Sequence, residues 1–279
     1  MPIHDQGYRR YTGRRVPRGR AWLVIATTGI RLLLTRRNLV GLLLLSWLPF
    51  LVRAVLIYGA VNAPQVSFLA VTPGTFRQFL QQQDVFVFFM TVYVGAGLIA
   101  NDRRANALQL YLSKPIGRVE YVAGKLTILV TFVLLITWVP AILLLVLQIA
   151  FAGSFTFFLN NLFLLPAITA CSFLVAIVAG ASMLALSSLS NNSRYVGILY
   201  TALIFFSQAL FAVLRGVTGD RWWSWLSMPN DVIQVGDAMF RLPLRNGTAW
   251  PMPLVAIAAL LLASGFVLER RVRGVEVVA

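Results

Sequence analysis

Histidine and cysteine are nearly missing from this chain, with His4 and Cys171 the only residues of their types. No disulfide framework, Cys/His zinc cluster or Cys–His dyad can be assembled within it. Charge is scarce as well: 12% of 279 residues, where a soluble chain carries about 25%. Acid is scarcest, with nine Asp and Glu against 24 Lys and Arg. An intramembrane serine protease needs Ser beside His or Lys at membrane depth. Proton-coupled transport usually shows buried Asp, Glu or His, and the third to sixth apolar runs contain none of these. Gln148 and Gln208 are neutral and can be satisfied by helix partners. The residues for an enzyme, or for a chain with its own energy source, are absent.

What the sequence has in excess is apolar length. Hydrophobic residues make up 59%, gathered in blocks near the roughly 20 residues that a helix needs to span hydrocarbon. Six spans are expected, over 39–60, 84–101, 126–150, 162–189, 195–214 and 252–268. Asn160–Asn161 and Asn191–Asn192–Ser193 punctuate the runs as tight connections. Pro49, Pro140 and Pro166 fall inside spans, where neighbouring helices can satisfy the freed backbone groups. Gly180, Ala181 and Ser182 form a small-residue patch for close helix approach. The first block begins too late for a cleaved signal peptide, and no small-residue cleavage site follows it.

Eighteen of the 24 basic residues fall in segments that an N-inside, six-span chain leaves in the cytoplasm. That asymmetry is the bias that orients membrane proteins. It accounts for the net charge of +15 without a nucleic-acid partner, and anionic lipid headgroups favour the same surface. The expected domains are a tail and interfacial helix (1–37), a six-helix transmembrane domain (38–270) and a cytoplasmic tail (271–279). Within 17–37, Trp22, Ile25, Ala26, Ile30 and Leu33 recur at helical spacing, opposed by Arg20, Thr27, Arg31 and Thr35. Such a helix suits the membrane interface, with arginines snorkelling to headgroups.

Two outer segments are longer than the rest. Residues 61–83 are polar and Gln-rich. Residues 215–251 carry Trp222, Trp223, Trp225 and Trp250 beside Asp231 and Asp237, and read as an aromatic belt with one or two short helices on the outer leaflet. A ligand site built on these aromatics is the competing reading. Arg53 is the one clear charge within a span. Pairing with Asp84 at a similar depth would lower the burial cost of both; snorkelling and a place on a substrate path are the alternatives.

The segment 95–126, GAGLIANDRRANALQLYLSKPIGRVEYVAGKL, is the most informative. Span two ends at Asn101–Asp102, Arg103 and Arg104 follow, and Leu108, Leu110 and Leu112 place apolar side chains inside a polar loop. Lys114–Pro115 breaks the chain before Arg118 restarts it. An ordinary basic loop would explain the charges, but less well the apolar positions and the break. Gly117–Lys125 is not a phosphate-binding loop: six residues separate its glycines, and Leu126 stands where Ser or Thr is required.

Asp102, Arg103, Arg104, Leu108, Leu112, Ser113, Pro115, Arg118, Tyr121, Gly124 and Lys125 resemble the matching loop of the ABC-2 family, the permease subunits of ATP-binding-cassette transporters. Asn106 and Ala107 depart from the commoner Gly and Thr, and Asp102 from the usual Glu. The resemblance implies an all-α membrane protein of the type V exporter kind, six helices preceded by an interfacial one, in the bacterial cytoplasmic (inner) membrane with both termini in the cytoplasm. It implies a second permease chain, surrounding lipids, and cytoplasmic ATPase subunits that carry ATP and Mg²⁺; no cofactor is expected on this chain. Asp102, Arg103, Arg104, Leu108, Leu112, Pro115 and Arg118 would form the ATPase-coupling segment, and spans one, two and five would line the substrate path. The competing reading is a stand-alone secondary carrier or lipid-binding scaffold.

Overall fold

In a computed structural model, the described residues are 20–62, 71–107, 116–246 and 251–272. Helix is the only regular secondary structure among them, and six helical runs are long and apolar enough to cross a membrane: Arg37–Asn62, Pro73–Arg104, Arg118–Ala152, Leu164–Leu189, Ser193–Thr218 and Pro251–Arg271. All six expected spans are present. The runs subdivide in chain order. A leading helix, α1, covers Ala21–Leu34. The first span is α2 (Arg37–Ser46) and α3 (Leu48–Asn62). The second is α4 (Pro73–Gln82), α5 (Asp84–Gly95) and α6 (Ala100–Arg104). The third is α7 (Arg118–Ile136) and α8 (Trp138–Ala152). After the short α9 (Thr156–Asn160), the fourth and fifth spans are α10 (Leu164–Leu189) and α11 (Ser193–Thr218). A 3-10 turn, Trp222–Leu226, and α12 (Met228–Met239) precede the last span, α13 (Pro251–Arg271).

Proline sets several of these breaks. It cannot donate to the residue four back and its ring clashes with that carbonyl. Pro49 and Pro140 therefore stand in the first turns of α3 and α8, and each span is interrupted just before them, at Trp47 and Thr137. Pro166 likewise sits in the first turn of α10. Gly153 and Gly219 end α8 and α11 in the left-handed region, at φ 59° and 72°, which costs glycine little.

Spans two, three and four form the core, with about half of their apolar windows buried; spans one, five and six lie outside and are mostly exposed. Leu129, Phe132, Val133 and Ile136 of α7 meet Met90 and Val94 of α5 and Met183 and Leu184 of α10 in the largest cluster. Exposed Leu44, Leu51, Val55, Phe206, Val213 and Leu262 are at ease only against hydrocarbon or another chain.

The leading helix lies along span three. Ala26 and Leu33 are buried, while Thr27, Arg31 and Thr35 are exposed together with Leu23, Val24, Leu32 and Leu34. The approach is close because α7 carries Gly124 there. A Cβ at that position would stand 2.9 Å from the Trp22 carbonyl oxygen and 2.9 Å from the Ile25 Cβ. Gly180 plays the same part between spans three and four, where a Cβ would meet Leu126 at 2.8 Å.

The second and third spans begin earlier than expected. Residues 73–82 are α4, continuous with span two, and bury Phe76, Arg77, Phe79 and Leu80. The Gln-rich segment is thus largely part of the span. Thr75 Oγ1 accepts from the Thr72 backbone N–H (3.2 Å) and Pro73 opens the helix, so its start is well defined. Span three starts at Arg118, where Gly117 N–H donates to Glu120 Oε2 (3.1 Å).

Candidate functional site

The end of the bundle that carries both chain ends of the described structure is its basic end. There span two does not run straight into the loop: residues 96–99 turn before α6 resumes. Such a turn leaves backbone groups to satisfy. Ser187 Oγ of α10 takes them up, accepting from the Ile99 N–H (3.1 Å) and Ala100 N–H (3.0 Å) and donating to the Ala96 carbonyl (3.0 Å). Arg103 donates to the Ser188 carbonyl. The end of span two is therefore stapled to the end of span four.

Asp102 is held just as firmly from span three. Its Oδ2 lies 2.7 Å from Lys125 Nζ and accepts from Tyr121 Oη at 2.7 Å. The Lys125 side chain is 11% exposed and that of Asp102 19%, so each charge needs its partner. The ammonium also lies 5.5 Å from the Tyr121 ring centroid. The segment leaving at Arg103 and returning at Arg118 is thus anchored at both bases, to α7 and α10. Arg104 and Arg118 are exposed. Leu108, Leu112, Ser113 and Pro115 lie outside the described residues.

From the same end a groove runs between spans two and five. Its wider part, about 730 Å³, has Arg36, Asn101 and Arg194 at the basic end and Phe88, Phe89 and Phe205 farther along. A second chamber of about 380 Å³ shares those three phenylalanines and continues past Ile204 to Asp84 and Met228. Spans two and five approach closely at Gly197, where a Cβ would meet Val92 at 3.3 Å. Phe88 stacks on Tyr200 (6.1 Å) and meets Phe205 edge-on (6.3 Å), so the chamber's floor is aromatic. Spans two and five line this groove, and Arg36, the residue just before span one, reaches its basic end.

The expected Arg53–Asp84 pair is not formed. Arg53 Nε donates to Gln82 Oε1 (3.2 Å) and its Nη2 to Gln78 Oε1 (3.3 Å). Because α4 extends the second span, Gln78 and Gln82, four residues apart, share the face that span one meets. Asp84 lies two residues on, about 200° around a helix of 3.6 residues per turn, and faces the second chamber instead.

The sequence pattern does not predict the ion cluster at this far end. Arg77 Nε meets Asp237 Oδ1 at 2.9 Å with both side chains buried, and its Nη2 donates to the Ile233 carbonyl (3.0 Å). Arg245 Nε approaches Asp237 Oδ2 at 2.7 Å and its Nη2 donates to Gln81 Oε1 (3.0 Å). Gly236 gives the Arg77 guanidinium its room, since a Cβ there would stand 2.8 Å from Arg77 Cζ. The cluster fastens α4 to α12, elements 160 residues apart in sequence. Of the one or two short helices expected on the outer leaflet around the tryptophans, a 3-10 turn and α12 are present, but α12 is packed inward, burying Asp231, Gln234, Val235, Gly236 and Asp237. Gln234 donates to Ser224 Oγ (2.8 Å), and Ser227 donates to Gln208 Oε1 of span five. Burial pushes the Asp231 carboxyl up to about 8.

Compared with protein-family models and with characterised proteins, the chain matches none.

Proposed function

We propose that the chain is the membrane-spanning permease subunit of an ABC-2-type exporter, working with a separate cytoplasmic ATPase and a second permease chain. The observation that carries this reading is the bracing of the segment between spans two and three. A loop that only connects two helices needs no buried Asp102–Lys125 pair, no Tyr121 bond and no Ser187 staple at its base. A loop that transmits force does, because a push on it must reach the spans as a rigid displacement. Asp102, Tyr121 and Lys125, three of the residues on which the family resemblance rests, meet at that point.

In this reading residues about 103–115 dock on the ATPase, which holds ATP and Mg²⁺, and closure of its dimer moves spans two, three and four together. The basic end faces the cytoplasm of a bacterial cell and the chain sits in its inner membrane, consistent with positive charge retained inside. The leading helix α1 lies in the interface, and exposed Leu23, Val24, Leu32 and Leu34 give it an outward face that lipid would cover. The path for cargo runs along the groove between spans two and five.

The test is purification of the chain in mild detergent from its native membrane. An ATPase bearing GxxxxGK[ST] should co-purify, and Leu108→Asp with Leu112→Asp should abolish its retention. Equal retention by that variant refutes the docking assignment; no ATPase with the wild type refutes the permease reading.

A further inference from the structure

The geometry points to an anionic amphiphile with one long apolar chain, drawn sideways from the leaflet at the basic end, as the molecule that the groove between spans two and five receives. Polarity is distributed along this groove as it is along such a molecule. At the basic end stand two guanidiniums, Arg36 and Arg194, both exposed and flanked by Asn101. The ion pairs among the described residues involve neither of them. Asp102, the acid closest in sequence to that mouth, is already engaged by Lys125 and Tyr121. The mouth therefore keeps uncompensated positive charge, suited to a carboxylate or phosphate, which a guanidinium can bind through two parallel hydrogen bonds.

Beyond the mouth the lining becomes aromatic and aliphatic. The unbroken helix from Phe88 to Gly95 alone rises roughly 10 Å at 1.5 Å per residue, most of the roughly 15 Å depth of one hydrocarbon leaflet. An extended chain whose head lies on Arg36 and Arg194 reaches Phe88, Phe89 and Phe205, where the second chamber begins. At the far end of that chamber Asp84 is the acid on the wall. An anionic head is therefore favoured at one end and repelled at the other, which fixes the direction of entry. A cationic amphiphile meets the reverse pattern, and a neutral one gains nothing from either end. The groove faces outward between two spans, so a molecule already dissolved in the leaflet can enter without crossing water.

That this molecule is cargo rests on the permease reading; that it binds does not. The experiment uses the full chain in mild detergent and three photoactivatable probes of the same chain length, ending in a carboxylate, an alcohol or an amine. The carboxylate should label α5 and α11 around Phe88, Phe89 and Phe205, about tenfold more than the other two. Arg36→Gln with Arg194→Gln should remove that preference, and Arg36→Lys with Arg194→Lys should retain most of it. Equal labelling by all three heads overturns the proposal, as does labelling spread over the exposed faces of spans one and six. Protection of the groove in a dimeric fraction, with labelling only in the monomer, also overturns it by making a second copy the occupant. The head-group comparison is made on the wild type, so it decides even if a variant fails to fold. Co-purification of an ATPase alongside head-independent labelling would sink the ligand class and leave the permease reading intact. Head-selective labelling without an ATPase would do the opposite.

Discussion

Asp237→Asn is expected to be among the most destabilising single changes in the chain. The Arg77 and Asp237 side chains are 4% and 1% exposed, so solvent cannot replace the carboxylate once it is gone. Removing one partner of a buried pair costs about 3–5 kcal/mol, chiefly by stranding the other charge. Asparagine can still accept one hydrogen bond from Arg77, which places the change near the lower figure, about 3 kcal/mol. Arg245 adds little, because its side chain is 46% exposed and returns to water at a cost below about 1 kcal/mol. Replacing both buried charges, as Arg77→Met with Asp237→Leu, leaves nothing stranded and should restore stability to within about 1 kcal/mol of the wild type. The assay is unfolding in mixed micelles at increasing denaturing detergent, read by tryptophan fluorescence from the cluster at Trp222, Trp223 and Trp225 beside α12. A single variant within about 1 kcal/mol of the wild type would refute this reasoning. So would a double variant as unstable as Asp237→Asn alone.

Three further outcomes are expected. Lys125→Met leaves Asp102 with only the Tyr121 hydroxyl, and should speed tryptic cleavage at Arg103, Arg104, Lys114 or Arg118; unchanged cleavage would mean that the base of the loop is held by Ser187 and Ser188 alone. Gly124→Leu puts a side chain where the Trp22 carbonyl and Ile25 already stand, so α1 should lift from span three at a cost of about 1–3 kcal/mol, read as faster cleavage at Arg31. The Asp231 carboxyl, at about 8 when folded against about 4 when unfolded, keeps its proton in the folded state between those values. Folded chains then bind more protons than unfolded ones, so stability falls as pH rises through that window, and Asp231→Asn should flatten the slope. An unchanged slope would show that another group causes it.

Composition and charge placement are enough to read six spans. What they could not supply were the long-range partners. Arg77 and the glutamines at 78, 81, 82 and 83 make residues 73–83 look like a polar loop. Yet Arg77 is neutralised by Asp237, and Gln78 and Gln82 are bound by Arg53, so the segment is a helix at the start of span two. Span three starts before its apolar run for a similar reason: Lys125 has the look of a loop charge, but Asp102 neutralises it within the helix. Similar depth does not pair Arg53 with Asp84, because helix phase puts Gln78 and Gln82 on the face toward Arg53 and Asp84 on another. Asp102, Tyr121 and Lys125 were recognisable as a motif. Ser187 and Ser188 were not, because serines near the end of an apolar run carry no distinctive signal. The groove depends on Gly197 and on how spans two and five lean, which no local pattern encodes.

The most direct measurement is photo-crosslinking from the two ends of the bundle in native membranes. A photoreactive residue is placed at Leu108 in one variant and at Leu244, exposed at the far end, in another. The expected result is an adduct from position 108 with a chain carrying GxxxxGK[ST], and none from position 244. An adduct of that kind from 244, or from neither position, would contradict a coupling segment that docks on an ATPase at the basic end.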